Sequence, residues 1–169
     1  VSLEHTTMLG DTYSLVASEK AGIIKHGKPI IVGVKNEEAL NVIKQVAALN
    51  ESPIYVLNET IHVRKAEQGH FTYDGIGRIE NIELAMIGTH QYENATLAIT
   101  ACSLFLGQLQ EEAVRKALKN AVWEGRFEQV GEQLILDGAH NSEGTEALIQ
   151  TLKQTYPNAK YRFIYAAMA

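Results

Sequence analysis

The sequence predicts an α/β protein: a three-layer, mostly parallel sheet with helices, joined to a short antiparallel strand region. Two observations lead to this class. An apolar strand at 28–33, a helix that begins after Asn36 and a second strand at 54–57 form a strand–helix–strand unit, whose strands should be parallel neighbours. Residues 60–87 instead alternate apolar and polar side chains between glycines, which indicates antiparallel strands.

The remaining elements follow from helical spacing and from residues that begin or end helices. We expect the first helix, 12–21, to be capped by Asp11 and ended by Gly22. Two more helices, a strand hairpin, a further helix and a last strand complete the chain. Their expected ranges are 92–106, 110–122, 127–130 with 134–136, 143–155 and 161–165.

The segment 123–125 is the candidate domain boundary, because helical spacing ends before it and a strand pattern returns after it. It divides the chain into residues 1–122 and residues 123–169, and the second part is expected to be the start of a second Rossmann-like α/β domain. The chain begins at Val1 without an initiator methionine and stops at Ala169, just after a strand-like run. We therefore expect both ends to be truncations.

The composition is that of a soluble globular protein, with 46% hydrophobic and 21% charged residues among 169. The net charge of -5 argues against nucleic acid as a main partner, because binding phosphates needs a basic face. The sequence shows no membrane-spanning stretch and no signal peptide, so we expect no membrane partner and a cytoplasmic monomer.

The single cysteine, Cys102, lies in an apolar helical run and is predicted to be a buried thiol.

The first pattern that can carry chemistry combines His5, at the end of a strand-like run, with Lys20, in the last turn of the following helix. A neutral histidine is a good metal ligand. A deprotonated lysine can react with carbon dioxide to form a carbamate, which turns a cation into an oxygen ligand. On spacing alone, the favoured interpretation is simpler: a solvated lysine that complements the helix dipole, and an ordinary loop histidine.

Two further patterns place polar groups near the predicted boundary. Gln91 and Asn94 are three residues apart at the start of a helix, so their amides share one face and can bind a purine edge. On this pattern alone, the favoured interpretation is that they are ordinary polar residues at a helix start. Arg126 follows the boundary and can reach a phosphate in the other domain. A surface salt bridge with a nearby acid is its alternative.

The most specific pattern is the polar loop after the strand 134–136, which contains Asp137 and His140. Ligands of α/β sheets gather beyond the carboxyl ends of strands, so this loop lies where a binding site is expected. Asn141 or Ser142 can cap the next helix, but capping does not explain Asp137 and His140 together. A serine hydrolase is disfavoured because no Gly-x-Ser-x-Gly occurs, and zinc is disfavoured by the single cysteine.

Taken in order, these patterns resemble one family, the folylpolyglutamate and dihydrofolate synthases, over essentially the whole chain. The resemblance rests on Leu3-Glu4-His5, Met8-Leu9-Gly10-Asp11-Thr12, Glu19-Lys20-Ala21-Gly22-Ile23-Ile24-Lys25, His90-Gln91-x-x-Asn94-Ala95, Gly125-Arg126-Phe127-Glu128 and Asp137-Gly138-Ala139-His140-Asn141. The family usually has aspartate where this chain has Glu4. The sequence also lacks the Gly-x-x-x-x-Gly-Lys-Ser/Thr loop, which in the family precedes the residues present here.

The resemblance implies a ligase that uses ATP and Mg²⁺ to join L-glutamate to folate or dihydropteroate through an acyl phosphate. Residues 1–122 would then be the second half of the central ATPase domain, and 123–169 the first part of the last domain. By position, the resemblance assigns magnesium binding to His5 and to Lys20 as a carbamate, catalysis to Lys20 and His140, and ATP binding to Gln91, Asn94, Arg126, Asp137 and His140.

Two alternatives remain open at the level of sequence. The Mur ligases, which act on nucleotide-linked muramoyl peptides, share the architecture and an Asp-x-Ala-His-Asn motif. A non-catalytic α/β module that binds a nucleotide or a protein is the alternative from a different class. Because the phosphate-binding loop is missing, we expect the chain by itself to be inactive and to bind ATP weakly.

Overall fold

The computed structural model describes residues 12–67 and 69–166. In chain order, its elements are α1 (Tyr13–Ala21), β1 (Ile30–Val32), α2 (Glu37–Leu49), β2 (Ile54–Val56), β3 (His62–Glu67), β4 (His70–Gly75), β5 (Gly77–Glu83), α3 (Thr89–Leu106), α4 (Glu111–Lys119), β6 (Glu128–Val130), β7 (Leu134–Leu136) and α5 (Ser142–Thr155). The predicted α/β class, with parallel and antiparallel sheets, is confirmed.

The first unit is the predicted strand–helix–strand motif. β1 and β2 pair in parallel, with Ile30 opposite Ile54. Asn36 caps α2 as expected, because its side-chain oxygen accepts the N–H of Ala39 at 2.9 Å. Helices α1 and α2 pack together. The cluster that they form with the two strands contains Ala17, Ala21, Ile24, Val32, Ala39, Ile43, Ala47 and Val56.

Helix α1 begins one residue later than predicted. Its N-cap is Thr12, whose hydroxyl accepts the N–H of Leu15 at 3.2 Å. The prediction that Asp11 caps this helix is therefore wrong, and Asp11 itself lies outside the described residues. A threonine hydroxyl and an aspartate carboxylate both serve as caps, so the sequence alone did not distinguish these adjacent residues. Gly22 ends the helix as expected.

The second unit is an antiparallel sheet in the order β3-β4-β5, followed by α3 and α4. Tyr73 lies opposite Val63 on one side and Ile79 on the other. The cluster between this sheet and the helices contains Phe71, Tyr73, Ile79, Ile82, Leu84, Ala95, Ile99 and Val114. Helix α3 also contacts β1, so it joins the two units.

The last unit is the β6–β7 hairpin followed by α5. The two strands are antiparallel, with Gln129 opposite Ile135. Asn141 caps α5, since its side-chain oxygen accepts the N–H of Gly144 at 2.7 Å. No helix in 12–67 or 69–166 has the length and apolar character needed to cross a membrane.

Two further expectations are wrong. Cys102 is exposed rather than buried. Apolar residues occur on several sides of α3, and this cysteine lies on the side away from the sheet, where Phe105 is 88% exposed. Residues 161–165 form no strand, and Ile164 is 97% exposed. A strand needs a neighbour for its backbone hydrogen bonds, and no described strand pairs with this segment.

The buried hydroxyl of Tyr73 provides a test of this core. It accepts the N–H of Ile76 at 2.9 Å and lies 3.2 Å from the hydroxyl of Thr100. Tyr73→Phe removes the acceptor of that N–H and the hydroxyl partner of the buried Thr100, so we expect a loss of about 1 kcal/mol in the free energy of unfolding, measured with urea. The control is Tyr165→Phe at a 61% exposed position. Equal effects of the two substitutions would contradict the role of Tyr73.

Candidate functional site

Four of the predicted site residues, Gln91, Asn94, Arg126 and Asp137, meet at one cleft of about 570 Å³. One wall is the amino-terminal part of α3, and the other is formed by the loops around β6 and β7 together with α5. The polar residues of this cleft include Lys35, Gln91, Glu93, Asn94, Arg126 and Asp137, and Glu143 and Glu146 of α5 also line it. Cavities of this size hold small-molecule ligands in many proteins.

Gln91 and Asn94 lie on the first two turns of α3, and their amides bond to each other. Gln91 is only 6% exposed, whereas Asn94 is open to solvent. The side-chain nitrogen of Asn94 donates to the side-chain oxygen of Gln91 at 2.9 Å. Asn94 therefore keeps its side-chain oxygen as an acceptor that a ligand in the cleft can use.

The start of α3 has no side-chain cap. Its N-cap is Gly88, which has φ +119° and offers no side-chain acceptor, although its carbonyl oxygen accepts the N–H of Gln91 at 3.0 Å. A Cβ at this position would lie 2.6 Å from the ring of His90 and 3.0 Å from the hydroxyl of Thr151. Glycine thus allows the start of α3 and the helix α5 to approach each other closely, next to N–H groups that favour an anion.

Asp137 joins the two segments that form the second wall. One of its carboxylate oxygens accepts the N–H of Phe127 at 2.8 Å, and the other accepts the N–H of Ala139 at 2.9 Å. Phe127 has φ +48°, is 7% exposed and stacks on Tyr156 with a ring-centroid distance of 6.5 Å. The hydrogen bond that the Phe127 N–H donates to Asp137 therefore helps to hold a backbone conformation that is unfavourable for a residue with a side chain.

Arg126 lies on the turn between these anchors and is the exposed cation of the second wall. Within the part of the chain that the structure describes, no carboxylate forms an ion pair with its guanidinium, so the alternative of a surface salt bridge is not realised. An unpaired guanidinium in a cleft is a natural binding group for phosphate or carboxylate.

His90 lies at the centre of these charges. Partial burial lowers its pKa below the ordinary value, and Arg126 and Lys35 act in the same direction. The carboxylates of Asp137 and Glu93 oppose this shift. The unfolded chain therefore binds a proton at higher pH than the folded chain. The contribution of His90 to stability is thus complete above about pH 6.5 and is lost as the pH falls below that value.

The remaining predicted site residues lie elsewhere or outside the described ranges. His140 is exposed and does not line the cleft, although Ala139 and Asn141 beside it do; its Nδ1 lies 2.8 Å from the carbonyl oxygen of Gly138. Lys20 is exposed in the last turn of α1, as expected, and does not line the cleft. His5 lies outside the described residues.

The magnesium and carbamate assignments stay predictions. In residues 12–67 and 69–166, no group of three or more histidine, cysteine, aspartate or glutamate side chains is arranged to hold a metal ion. Lys20 as an unmodified amine is a cation and offers a metal no ligand, and His5 is not described. The described residues by themselves therefore do not form a magnesium site.

Sequence patterns missed the ion pair at the rim of the cleft. Lys35 follows β1 and lies 2.8 Å from the carboxylate of Glu93 on α3. The position of Lys35 just after the carboxyl end of a parallel strand was a usable signal, because ligands gather there. His90 belongs to the motif His90-Gln91-x-x-Asn94-Ala95, but the sequence offers no reason to assign it a role. The shift of its pKa depends on burial and on charges from distant parts of the chain, which the sequence does not show.

Fold and cleft together define the class of this protein: an α/β protein whose parallel strands, helix start and unpaired arginine converge on one cleft.

No family sequence model matches the chain. The dihydrofolate synthase/folylpolyglutamate synthase of Bacillus subtilis is 36% identical over 176 residues, which cover 98% of this chain and 41% of that protein. The folylpolyglutamate synthase of Lacticaseibacillus casei is 32% identical over 167 residues, covering 92% and 39%.

The comparison with solved structures indicates the same family as the comparison of sequences. A folylpolyglutamate synthase (FPGS) in complex with AMPPCP and folate superimposes with a TM-score of 0.88 at 31% identity, covering 92% of this chain and 41% of that one. The chain belongs to the folylpolyglutamate/dihydrofolate synthase family, as the resemblance of its motifs predicted. It spans about 41% of the length of the Bacillus subtilis relative.

The charges around His90 predict opposite effects of two substitutions on its pKa. Asp137→Asn removes a nearby negative charge and should lower the pKa of His90 further, whereas Arg126→Gln should raise it. The measurement is a titration of the His90 ring by NMR. Asp74→Asn is the control, because Asp74 pairs with Arg64 on the antiparallel sheet. Shifts of the same sign for the two cleft variants would contradict this arrangement.

Proposed function

We propose that the full-length parent of this chain is an ATP-dependent ligase that joins L-glutamate to folate or dihydropteroate, and that this chain provides part of its ATP cleft. The observation that carries the proposal is the convergence of Gln91 and Asn94 with Arg126 and Asp137 on one cleft. The AMPPCP–folate complex of a structural neighbour supports it, because AMPPCP is an analogue of ATP.

The chemistry of the cleft suits ATP. The free side-chain oxygen of Asn94 can accept from the amino group of a purine, and the apolar residues Gly33, Leu57 and Leu97 offer a surface for the ring. The guanidinium of Arg126 can neutralise phosphate charge. ATP, when bound, supplies the phosphoryl group that activates a substrate carboxylate.

The other assignments enter the proposal from the resemblance. Mg²⁺ is the second cofactor, and His5 and the carbamate of Lys20 would be its ligands. His140 would act from the carboxyl-terminal side of the cleft. The domain boundary at 123–125 and a cytoplasmic, monomeric parent belong to the same proposal. The hydrogen bond from His140 Nδ1 to the carbonyl of Gly138 would leave Nε2 exposed for a ligand.

The function is tested by turnover of the purified parent. We expect ADP and phosphate to form only when ATP, L-glutamate and a pteroate or folate acceptor are all present, together with the amide product identified by mass spectrometry. The reaction should need the carboxylate of the acceptor, because activation occurs there. Turnover with nucleotide-linked muramoyl acceptors would assign the chain to the Mur ligases instead. Absence of turnover with any of these acceptors would favour a non-catalytic module.

Lys20 provides a separate prediction within this proposal. Lys20→Arg keeps the positive charge but cannot form a carbamate, so the parent should lose most of its activity while folding normally, since arginine is a good helix former. The matched control is Lys116→Arg, also in the last turn of a helix, which should keep normal turnover. Near-normal activity of Lys20→Arg would show that Lys20 only complements the helix dipole.

A further inference from the structure

The turn that carries Arg126 is fixed at both ends by hydrogen bonds. The N–H of Gly125 donates to the Glu128 carboxylate at 2.7 Å, and the carbonyl oxygen of Gly125 accepts the N–H of Gly138 at 2.7 Å. The N–H of Phe127 donates to Asp137 at 2.8 Å. The residues on both sides of Arg126 are therefore held in place, while its own side chain remains free of ion pairs with any described residue.

This turn has a backbone that does not form easily. Gly125 has φ +68°, which glycine adopts readily, whereas Phe127 has φ +48°, a left-handed conformation that is unfavourable for a residue with a side chain. Such conformations persist only where the surroundings favour them. Of the two carboxylates that accept N–H groups of the turn, Asp137 lines the cleft and Glu128 does not. Glu128 thus contributes to the turn from behind, without reaching a ligand.

We propose that Glu128 is a positioning residue for anion binding: its carboxylate holds the turn in the conformation that directs Arg126 into the cleft. The inference rests on the proposed function only for the identity of the anion, a polyphosphate. The physical reason is preorganisation, because a flexible turn would have to be ordered each time the ligand binds. Glu128 begins β6, opposite Leu136, so the strand pairing fixes the point from which its side chain reaches back.

The first test uses this chain and inorganic pyrophosphate, followed through the Arg126 side-chain resonance by NMR. Glu128→Leu removes the acceptor and should weaken pyrophosphate binding about tenfold, because small misplacements of a binding group have effects of this order or larger. Glu128→Gln keeps an oxygen in the same place and should bind almost as the wild type does. Glu132→Leu, in the exposed β6–β7 turn, is the matched control and should also bind normally.

The second test asks whether Glu128 acts through Arg126, using turnover of the parent. Glu128→Leu should raise KM for ATP and leave KM for glutamate unchanged, and it should have no further effect in an Arg126→Met background. A purely structural role would lower the melting temperature equally in both backgrounds, and its effects on turnover would add.

Three outcomes would overturn the inference: no pyrophosphate binding by the wild-type chain, equal binding by the wild type and Glu128→Leu, or additive effects of the two substitutions. Failure of the proposed function is a separate result. A parent without ATP-dependent turnover would refute the ligase, whereas the pyrophosphate titration on this chain would still decide whether Glu128 positions Arg126.

Discussion

Helix α3 has to pack against two sheets at once, and this constraint determines where the cleft lies. Its buried side meets the antiparallel sheet through Ala95 and Ile99, while Leu97 lies against Gly33 beyond the parallel pair. A Cβ at Gly33 would come within 2.7 Å of a Leu97 methyl group, so the Leu97 side chain would have to move if residue 33 were not glycine. With α3 held in this way, its uncapped start faces the loops of the last unit.

The electrostatics of the cleft follow from that position. Two cations, Lys35 and Arg126, and two carboxylates, Glu93 and Asp137, lie close enough to His90 to change its pKa. Lys35 is paired with Glu93, and Asp137 is occupied by backbone N–H groups. Arg126 is the cation of this set that forms no ion pair with a described residue, so any attraction of the cleft for an anion depends on this one side chain and its position rather than on the net charge, because Glu143 and Glu146 also line the cleft.

Much of the fold was predictable because local rules dominate it. The strand–helix–strand unit, the antiparallel sheet, the hairpin and the cap at Asn36 all follow from patterns within a few residues. The predictions failed where a choice depended on distant neighbours. The sequence around Cys102 is apolar on several sides, so it does not say which side of α3 meets the sheet. Residues 161–165 have the composition of a strand, but a strand also requires a partner.

By itself, the sequence determined the class, the family and the motifs, since each of these is written in local periodicity or in short runs of residues. Only the tertiary structure decided which motifs act together. It placed Gln91 and Asn94 across a cleft from Arg126 and Asp137, and it paired Lys35 with a helix far along the chain. The physical reason is that short-range rules set backbone conformation, whereas contacts between distant segments depend on how the helices and sheets pack.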